Sequence, residues 1–270
     1  MRPARAGRPL AGRRILVTRP RAQARDLCAR LRLLGATVVA VPTIEIVPAP
    51  PGRLDRAVRR LAAYDWIVVT SANGARALIA RAEVLGLDLR RLRGPRWAAV
   101  GPATAAVLRA AGVRVAKIPS RYLTDTLGSE LPDVAGRRVL LARADLASPG
   151  LARRLAARGA RVDTVVAYRT RVAPRASAAS LRRALAAGRV DAIVCTSAST
   201  VRGLVRLAGR ASLAGCRLAC IGPVTAAAAR RAGLQPHVVA RSHTVAGLVA
   251  ALVTDIQRKG VRDGTDRSAD

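Results

Sequence analysis

The chain contains the same passage twice, and this internal repeat constrains the fold more than any other feature. Residues 12–46 align without gaps with residues 136–170. Two further pairs follow in the same order: VVTSANGARAL from residue 68 matches VCTSASTVRGL from residue 194, and AAVGPATAAV from residue 98 matches ACIGPVTAAA from residue 219. Repeats of about 120 residues have the size of domains and are too long for solenoid units. The sequence therefore predicts two similar lobes, with a ligand site in a cleft between them.

Composition and cysteine spacing exclude several classes of protein. A length of 270 residues with 51% hydrophobic content fits a globular protein of two domains. No run of about 18 apolar residues is present, and the N-terminus lacks the apolar segment of a secretory signal, so we expect a cytoplasmic protein. Cys28, Cys195, Cys216 and Cys220 form no CxxC pair, which disfavours a metal site and predicts buried, reduced thiols.

The net charge of +32 points to anionic ligands without naming one. Such a surplus attracts either nucleic acid or a polycarboxylate, although scattered Arg is also an ordinary solvated surface and Ala and Arg enrichment is typical of a GC-rich genome. The chain has no Phe and only 2% aromatic residues, so it offers few platforms on which bases could stack. Specific nucleic-acid binding is therefore disfavoured, while nonspecific binding at low salt stays open.

Short β-rich runs alternate with helical spacing in both repeats. The strands predicted in the first repeat are Ile15–Arg19, Thr37–Pro42, Trp66–Thr70, Trp97–Gly101 and Val113–Pro119. Those predicted in the second are Val139–Arg143, Val162–Arg169, Ala192–Thr196, Leu218–Gly222 and His237–Ala240. Continuous apolar strands between helices indicate parallel sheets covered on both faces, and such sheets bind ligands beyond the carboxyl ends of their strands.

Two polar loops recur at those strand ends. Thr70–Gly74 corresponds to Thr196–Thr200, and Gly101–Thr104 corresponds to Gly222–Thr225. Hydroxyl groups there can cap the following helix, and free N–H groups of its first turn can hold a carboxylate. Each loop alone could be an ordinary capped turn. Four of them in matched positions of a cationic chain favour anion binding.

The repeats also differ in an informative way. Tyr168 aligns with Ile44, and Arg169 aligns with Glu45, in the strand that ends the gapless match. A lone Tyr is often a packing residue. Here it breaks the internal symmetry near the predicted lobe boundary, which also makes it a candidate for catalysis.

The motifs together resemble one enzyme family. LVTRP (16–20), TSANG (70–74), VGPATA (100–105), VAYRT (166–170), TSAS (196–199) and IGPVTAAAA (221–229) resemble uroporphyrinogen-III synthase in order and spacing. The resemblance runs from about Gly12 to Leu252. It implies a cofactor-free lyase without a metal, which dehydrates and cyclises hydroxymethylbilane with inversion of ring D, through an azafulvene and a spiro intermediate.

The resemblance also implies roles for individual residues. Tyr168 is the expected catalytic residue, helping the hydroxyl group to leave. The residues expected to bind substrate are Arg19, Thr70, Ser71, Asn73, Gly101, Thr104, Thr196, Ser197, Gly222 and Thr225. The chain departs from the family at His243, where Tyr is common; Tyr122 stands at the corresponding position of the first repeat.

The fold that the resemblance implies is α/β, with two similar parallel-sheet lobes of Rossmann or flavodoxin type joined by a two-stranded β linker. One lobe would combine residues 1–40 with 174–256, and the other would span 49–164. Residues 41–48 and 165–173 would be the linker strands, and residues 257–270 a disordered tail. We expect a monomer with a small-molecule substrate. A nonenzymatic two-lobe protein that binds a tetrapyrrole or another anion is the nearest alternative, followed by an Arg-rich nucleic-acid-binding protein.

Overall fold

The computed structural model describes the backbone of residues 8–265 and the side chains of residues 8–258. The strands are β1 Arg14–Val17, β2 Thr37–Ala40, β3 Ile44–Pro48, β4 Trp66–Val69, β5 Arg96–Ala99, β6 Val115–Lys117, β7 Arg138–Ala144, β8 Arg161–Val172, β9 Ala192–Cys195, β10 Arg217–Cys220 and β11 Pro236–Val239. The helices are α1 Arg21–Leu33, α2 Arg53–Arg59, α3 Ala72–Val84, α4 Pro102–Ala110, α5 Thr124–Glu130, α6 Gly150–Ala157, α7 Arg175–Ala186, α8 Ala198–Ala208, α9 Pro223–Arg231 and α10 Val245–Thr265.

Contacts divide the chain into two units. The first contains the residues up to Glu45 and those from Arg171 onward, and the second contains Ile46–Thr170. The chain passes from one unit to the other inside β3 and again inside β8. The boundaries of both units thus fall within strands and not within loops.

Each unit is built on one sheet. The sheet of the first unit has the strand order β11-β10-β9-β1-β2, and that of the second has the order β3-β8-β7-β4-β5-β6. All five strands of the first sheet pair in parallel, as do β8, β7, β4, β5 and β6 of the second. The prediction of an α/β fold with parallel sheets is confirmed.

The two repeats exchange parts between these sheets. β1 and β2 come from the first repeat but pair beside β9, which belongs to the second. Likewise β7 and β8 come from the second repeat and pair beside β4 of the first. Each unit therefore reproduces the same strand arrangement from two different parts of the sequence.

Apolar side chains cover both faces of each sheet. In the second unit, Ile67 and Val69 of β4 pack in the cluster that holds α3 and α4, whereas Val68 packs in the cluster that holds α5 and α6. In the first unit, Ile15 packs in the cluster with α1 and α10, and Leu16 packs in the cluster with α7, α8 and α9. This alternation follows from the period of two in a strand and explains why the strands are apolar throughout.

The end of the chain differs from the sequence-based prediction. The predicted tail begins at residue 257, but α10 continues to Thr265. Ile256, at 7% exposure, still packs in the core of the first unit, so the helix is anchored close to the predicted boundary. Residues 266–270 of the predicted tail lie outside the described residues.

Candidate functional site

The first polar loop of the second unit follows β4. Ser71 is the N-cap residue of α3, and its Oγ accepts a hydrogen bond from the N–H of Gly74 at 3.0 Å. Thr70 precedes this cap, with its N–H directed to the carbonyl of Ala142 at 3.5 Å, and Asn73 lies in the first turn of α3. These residues are in the loop that the sequence predicted, at the carboxyl end of the strand.

Tyr168 reaches the same loop because of an irregularity in β8. Arg143 of β7 pairs with Val166, but the next residue, Ala144, pairs with Tyr168, so Ala167 is an extra residue in β8. An extra residue of this kind can redirect a side chain. Regular alternation would send Ala167 and Tyr168 to opposite faces, yet both pack in the same core cluster, beside α3.

A hydrogen bond joins the tyrosine to the loop. Ser71 Oγ donates to the phenol oxygen of Tyr168 at 3.1 Å. Tyr168 is 8% exposed, so the ring is held by packing. It pairs with Ala144, the last residue of β7, and its oxygen meets Ser71 just beyond the carboxyl end of β4. Of the predicted site residues, Ser71 and Tyr168 are thus brought into direct contact.

Asp145 fixes the backbone around Tyr168 and was not predicted from the sequence. Its N–H donates to the carbonyl of Tyr168 at 3.2 Å, and its Oδ1 accepts from the N–H of Thr170 at 3.0 Å. The signal that could have identified it is its alignment with Arg21, which reverses the charge at one position of the repeat.

The second loop of this unit follows β5. Gly101 is the N-cap residue of α4, in extended conformation, and Pro102 starts the helix. Thr104 lies in the first turn, and its side chain is largely buried at 5% exposure. Tyr122 lies against Gly101, where a Cβ atom would be 3.6 Å from the Tyr122 Cβ.

The first unit repeats these loops with its own variations. Ser197 caps α8, and it forms a reciprocal capping box with Thr200, in which each side chain accepts from the other's N–H at 3.2 Å. Thr196 precedes this cap at the end of β9. Gly222 and Pro223 start α9, with Thr225 in its first turn at 3% exposure.

The N-termini of these helices suit anions. None of the four helices α3, α4, α8 and α9 carries an acidic residue in its first turn. An acidic side chain there would offset the positive end of the helix dipole and occupy its free N–H groups. The four N-termini consequently keep their electrostatic attraction for an external carboxylate.

One arginine stands at the end of the first strand in each repeat. Arg19 follows β1 and donates from Nη2 to Gln23 Oε1 at 3.4 Å. Arg143, its aligned counterpart, donates from Nη1 to the carbonyl of Ser148 at 2.8 Å, and its buried Nε has no hydrogen-bond partner within residues 8–258. The prediction named only Arg19, although the gapless alignment of the repeats also marks Arg143.

The cysteines show no sign of reactivity. Cys28, Cys195 and Cys220 are buried, and Cys216 is partly buried. Burial raises the pKa of the Cys195 thiol to about 12 and that of the Cys220 thiol to about 11, so both stay protonated at neutral pH. No group of three metal-ligating side chains occurs among the described residues.

A cavity of about 320 Å³ lies elsewhere in the first unit. Its lining includes Cys216, Leu218, Leu234 and His237, at the amino ends of β10 and β11. Gly222 and Thr225 lie at the opposite, carboxyl ends of the strands, and the cavity lining contains none of the predicted site residues.

Within residues 8–265, no helix is long and apolar enough to cross a membrane.

Comparison with known proteins gives a consistent family assignment. The model of the uroporphyrinogen-III synthase family, HemD, matches residues 25–250. A uroporphyrinogen-III synthase of Synechococcus elongatus is 31% identical over 92% of this chain and 97% of its own length. A porphyrin biosynthesis protein HemD of Ruminiclostridium josui is 32% identical over 91% of this chain, and the chain spans 49% of that protein.

A solved structure agrees with the architecture. A crystal structure of a mutant uroporphyrinogen III synthase from Thermus thermophilus superimposes with a TM-score of 0.69. The match covers 92% of this chain and all of the other, at 24% identity. Similarity at this level of identity supports the fold.

Proposed function

Because the chain belongs to the uroporphyrinogen-III synthase family, whose role is in tetrapyrrole biosynthesis, we propose that it is a lyase that dehydrates and cyclises hydroxymethylbilane with inversion of ring D. The single observation that carries this proposal is the contact between Tyr168 and Ser71, at 3.1 Å, which brings a phenol to the loop at the end of β4. A phenol there can donate a proton to a departing hydroxyl group.

The chemical step begins with loss of the hydroxyl group. The C–O bond breaks with both electrons leaving on oxygen, and the Tyr168 proton converts the leaving hydroxide to water. The resulting cation, a protonated azafulvene, is attacked by ring D at its substituted carbon to give a spiro intermediate. The bond from that carbon to the bridge with ring C then breaks, and the freed cation on ring C closes onto the unsubstituted α-carbon of ring D. The proton that ring D loses in the final closure restores the phenol, so the series of reaction steps needs no oxidant, reductant or metal.

Binding is the second task of the site. Hydroxymethylbilane carries eight carboxylates, and the free N–H groups at the starts of α3, α4, α8 and α9 are suited to some of them. Thr70, Asn73, Thr196 and Ser197 lie at the starts of α3 and α8, and they supply further donors, as does Arg19 after β1. Left in water the bilane closes without inversion, so holding it in a folded conformation is a large part of catalysis.

The remaining features of the proposal concern cofactor, assembly and charge. A proton donor and a fixed geometry suffice for the reaction, so we propose an enzyme that works without a cofactor. We also propose that it acts as a monomer in the cytoplasm. Its net charge of +32 favours a polycarboxylate substrate. Nonspecific attraction to other anions at low ionic strength follows from the same charge.

The test is a coupled assay. Hydroxymethylbilane is generated enzymatically, the purified protein is added, and the uroporphyrinogen isomers are separated by chromatography. We expect the type III isomer to replace the type I isomer in proportion to enzyme concentration. Binding of hydroxymethylbilane without a change in isomer ratio would contradict the proposal and favour a nonenzymatic binding protein.

A further inference from the structure

We propose that Ser71 is a positioning residue for Tyr168, which orients the phenol and stabilises the negative charge that develops on its oxygen when it gives up its proton. The inference rests on the proposed function, because it assumes that Tyr168 acts on the leaving hydroxyl group. It assigns to Ser71 a role beyond contact with substrate. The argument depends on the hydrogen bonds around one oxygen atom.

Ser71 has one hydrogen to donate and two lone pairs with which to accept. One lone pair accepts the N–H of Gly74 at 3.0 Å, which caps α3. Its hydrogen is directed to the Tyr168 oxygen at 3.1 Å. Because Tyr168 is the acceptor in this bond, its own hydrogen remains available for the substrate. The helix cap thus fixes the direction in which Ser71 donates.

The same bond becomes stronger during proton transfer. When the phenol proton moves to the departing hydroxide, electron density is left on the Tyr168 oxygen as a developing phenolate. A hydrogen bond to an ionised acceptor is shorter and about twice as strong as one between neutral groups. Ser71 therefore stabilises the transition state more than the ground state, which is the condition for raising kcat.

The internal repeat provides a matched comparison. Ser197 is the N-cap residue of α8 and accepts from the N–H of Thr200 at 3.2 Å, as Ser71 does from Gly74. The residue that aligns with Tyr168 is Ile44, which has no hydroxyl group. Both serines cap a helix, but of the two only Ser71 has a phenol as its partner. Capping alone therefore does not account for the bond to Tyr168.

Three variants separate positioning from capping. Ser71→Ala and Ser197→Ala each remove a cap and should lower Tm by similar amounts. We expect Ser71→Ala to lower kcat by about 10-fold more than Ser197→Ala does, below the 10² to 10³ seen for oxyanion-hole donors because the phenolate charge is partial. Ser71→Asp keeps the cap but has no hydrogen to donate, so its carboxylate accepts a hydrogen bond from the Tyr168 hydroxyl instead. It should keep Tm and lose as much kcat as Ser71→Ala, whereas Ser71→Thr should keep both.

A double-mutant cycle completes the test. If Ser71 acts through Tyr168, Ser71→Ala should cost little further kcat in a Tyr168→Phe background, within about 2-fold. Equal kcat losses in Ser71→Ala and Ser197→Ala, or a Ser71→Asp enzyme with wild-type kcat, would overturn the inference while leaving the proposed function intact. Wild-type kcat in Tyr168→Phe itself would instead overturn the catalytic role of Tyr168 in the proposed function.

Discussion

The imidazole of His243 lies directly against Gly222, where a Cβ atom would come within 2.8 Å of the His243 Cδ2. Tyr122 occupies the corresponding position against Gly101 in the other repeat, with a looser contact of 3.6 Å. His243 is thus in contact with a predicted substrate-binding loop.

Replacement of Gly222 tests this contact. Gly222 has φ 177°, which any residue adopts, so Gly222→Ala should be strained only by the ring of His243. We expect a several-fold higher KM as the imidazole is displaced, with little change in Tm. Gly101→Ala is the matched control, since its new methyl group meets ordinary contacts, and it should change KM less. Removal of the imidazole in Gly222→Ala/His243→Ala should return KM towards the wild-type value. A KM that stays high would mean that the methyl group itself blocks the loop.

Tyr168→Phe deletes the phenol oxygen while keeping the ring that packs at 8% exposure. We expect formation of the type III isomer to slow by about 10 to 100 fold, at the low end of the range for a positioned proton donor because the hydroxyl group leaves readily. Tm and circular dichroism should remain close to wild type. A folded variant with the wild-type rate would remove Tyr168 from the mechanism.

Thr104→Val and Thr225→Val delete a hydroxyl group without changing side-chain shape. If each hydroxyl contacts a carboxylate, substrate binding should weaken by about 0.5 to 3 kcal/mol per variant, as for loss of one hydrogen bond. The effects should add, because the two residues belong to different units. Since the side chains are 5% and 3% exposed, a purely structural role is the competing outcome: lower Tm with unchanged KM.

Glu130 makes stability depend on pH in the acid range. Hydrogen bonds from Ser120, then from Lys117, lower the pKa of Glu130 from 4.5 to about 2. A carboxyl group with a lowered pKa in the folded state stabilises the protein above its unfolded pKa, and this contribution is lost as the pH falls towards 2. We expect the Tm of Glu130→Gln, measured by calorimetry, to be lower than that of the wild type at pH 6. At pH 3 the difference between the two Tm values should be smaller. A Tm difference independent of pH would contradict this.

The unit boundaries predict which fragments fold alone. A fragment of residues 46–170 contains β4 to β7, most of β3 and β8, and the covering helices of this sheet, so it should be monomeric and unfold cooperatively. A fragment of residues 1–132 holds β1 and β2 without β9, which leaves apolar faces uncovered, and it should aggregate. The opposite result would contradict the strand order described above. In that case the fragment 1–132 would fold, with β1 protected from hydrogen exchange, and the fragment 46–170 would stay unfolded.

The strands and the loops could be predicted because local sequence determines them. Runs such as Ile67–Val69 are apolar throughout since both faces of the sheet are covered, and Ser71 and Ser197 precede helices in the manner of N-cap residues. Tyr168 could be selected because the repeat supplies Ile44 for comparison. In these cases a few neighbouring residues, or one pair of aligned residues, are enough to make the prediction.

Other features depend on contacts between distant parts of the chain. The extra residue Ala167 exists only relative to the pairing of β8 with β7, and so does the access of Tyr168 to Ser71. Asp145 supports Tyr168 by bonding the backbone carbonyl of Tyr168 and the backbone N–H of Thr170, so the side-chain types of these two partners do not reveal the contact. The burial of Thr104 and Thr225 likewise depends on the packing around α4 and α9.

Because the repeats exchange strands, the two units are completed at different times during synthesis on the ribosome. The sheet of the second unit has all of its strands once Val172 has been made. In contrast, β1 must wait for β9, to which Thr18 is joined by a hydrogen bond that spans 176 residues of chain. Domains fold as units during synthesis, so the internal segment is completed first. β1, α1 and β2 are translated before the second unit but can be enclosed only after β9 has been made, so their apolar faces stay exposed for longer in the nascent chain than those of the second unit.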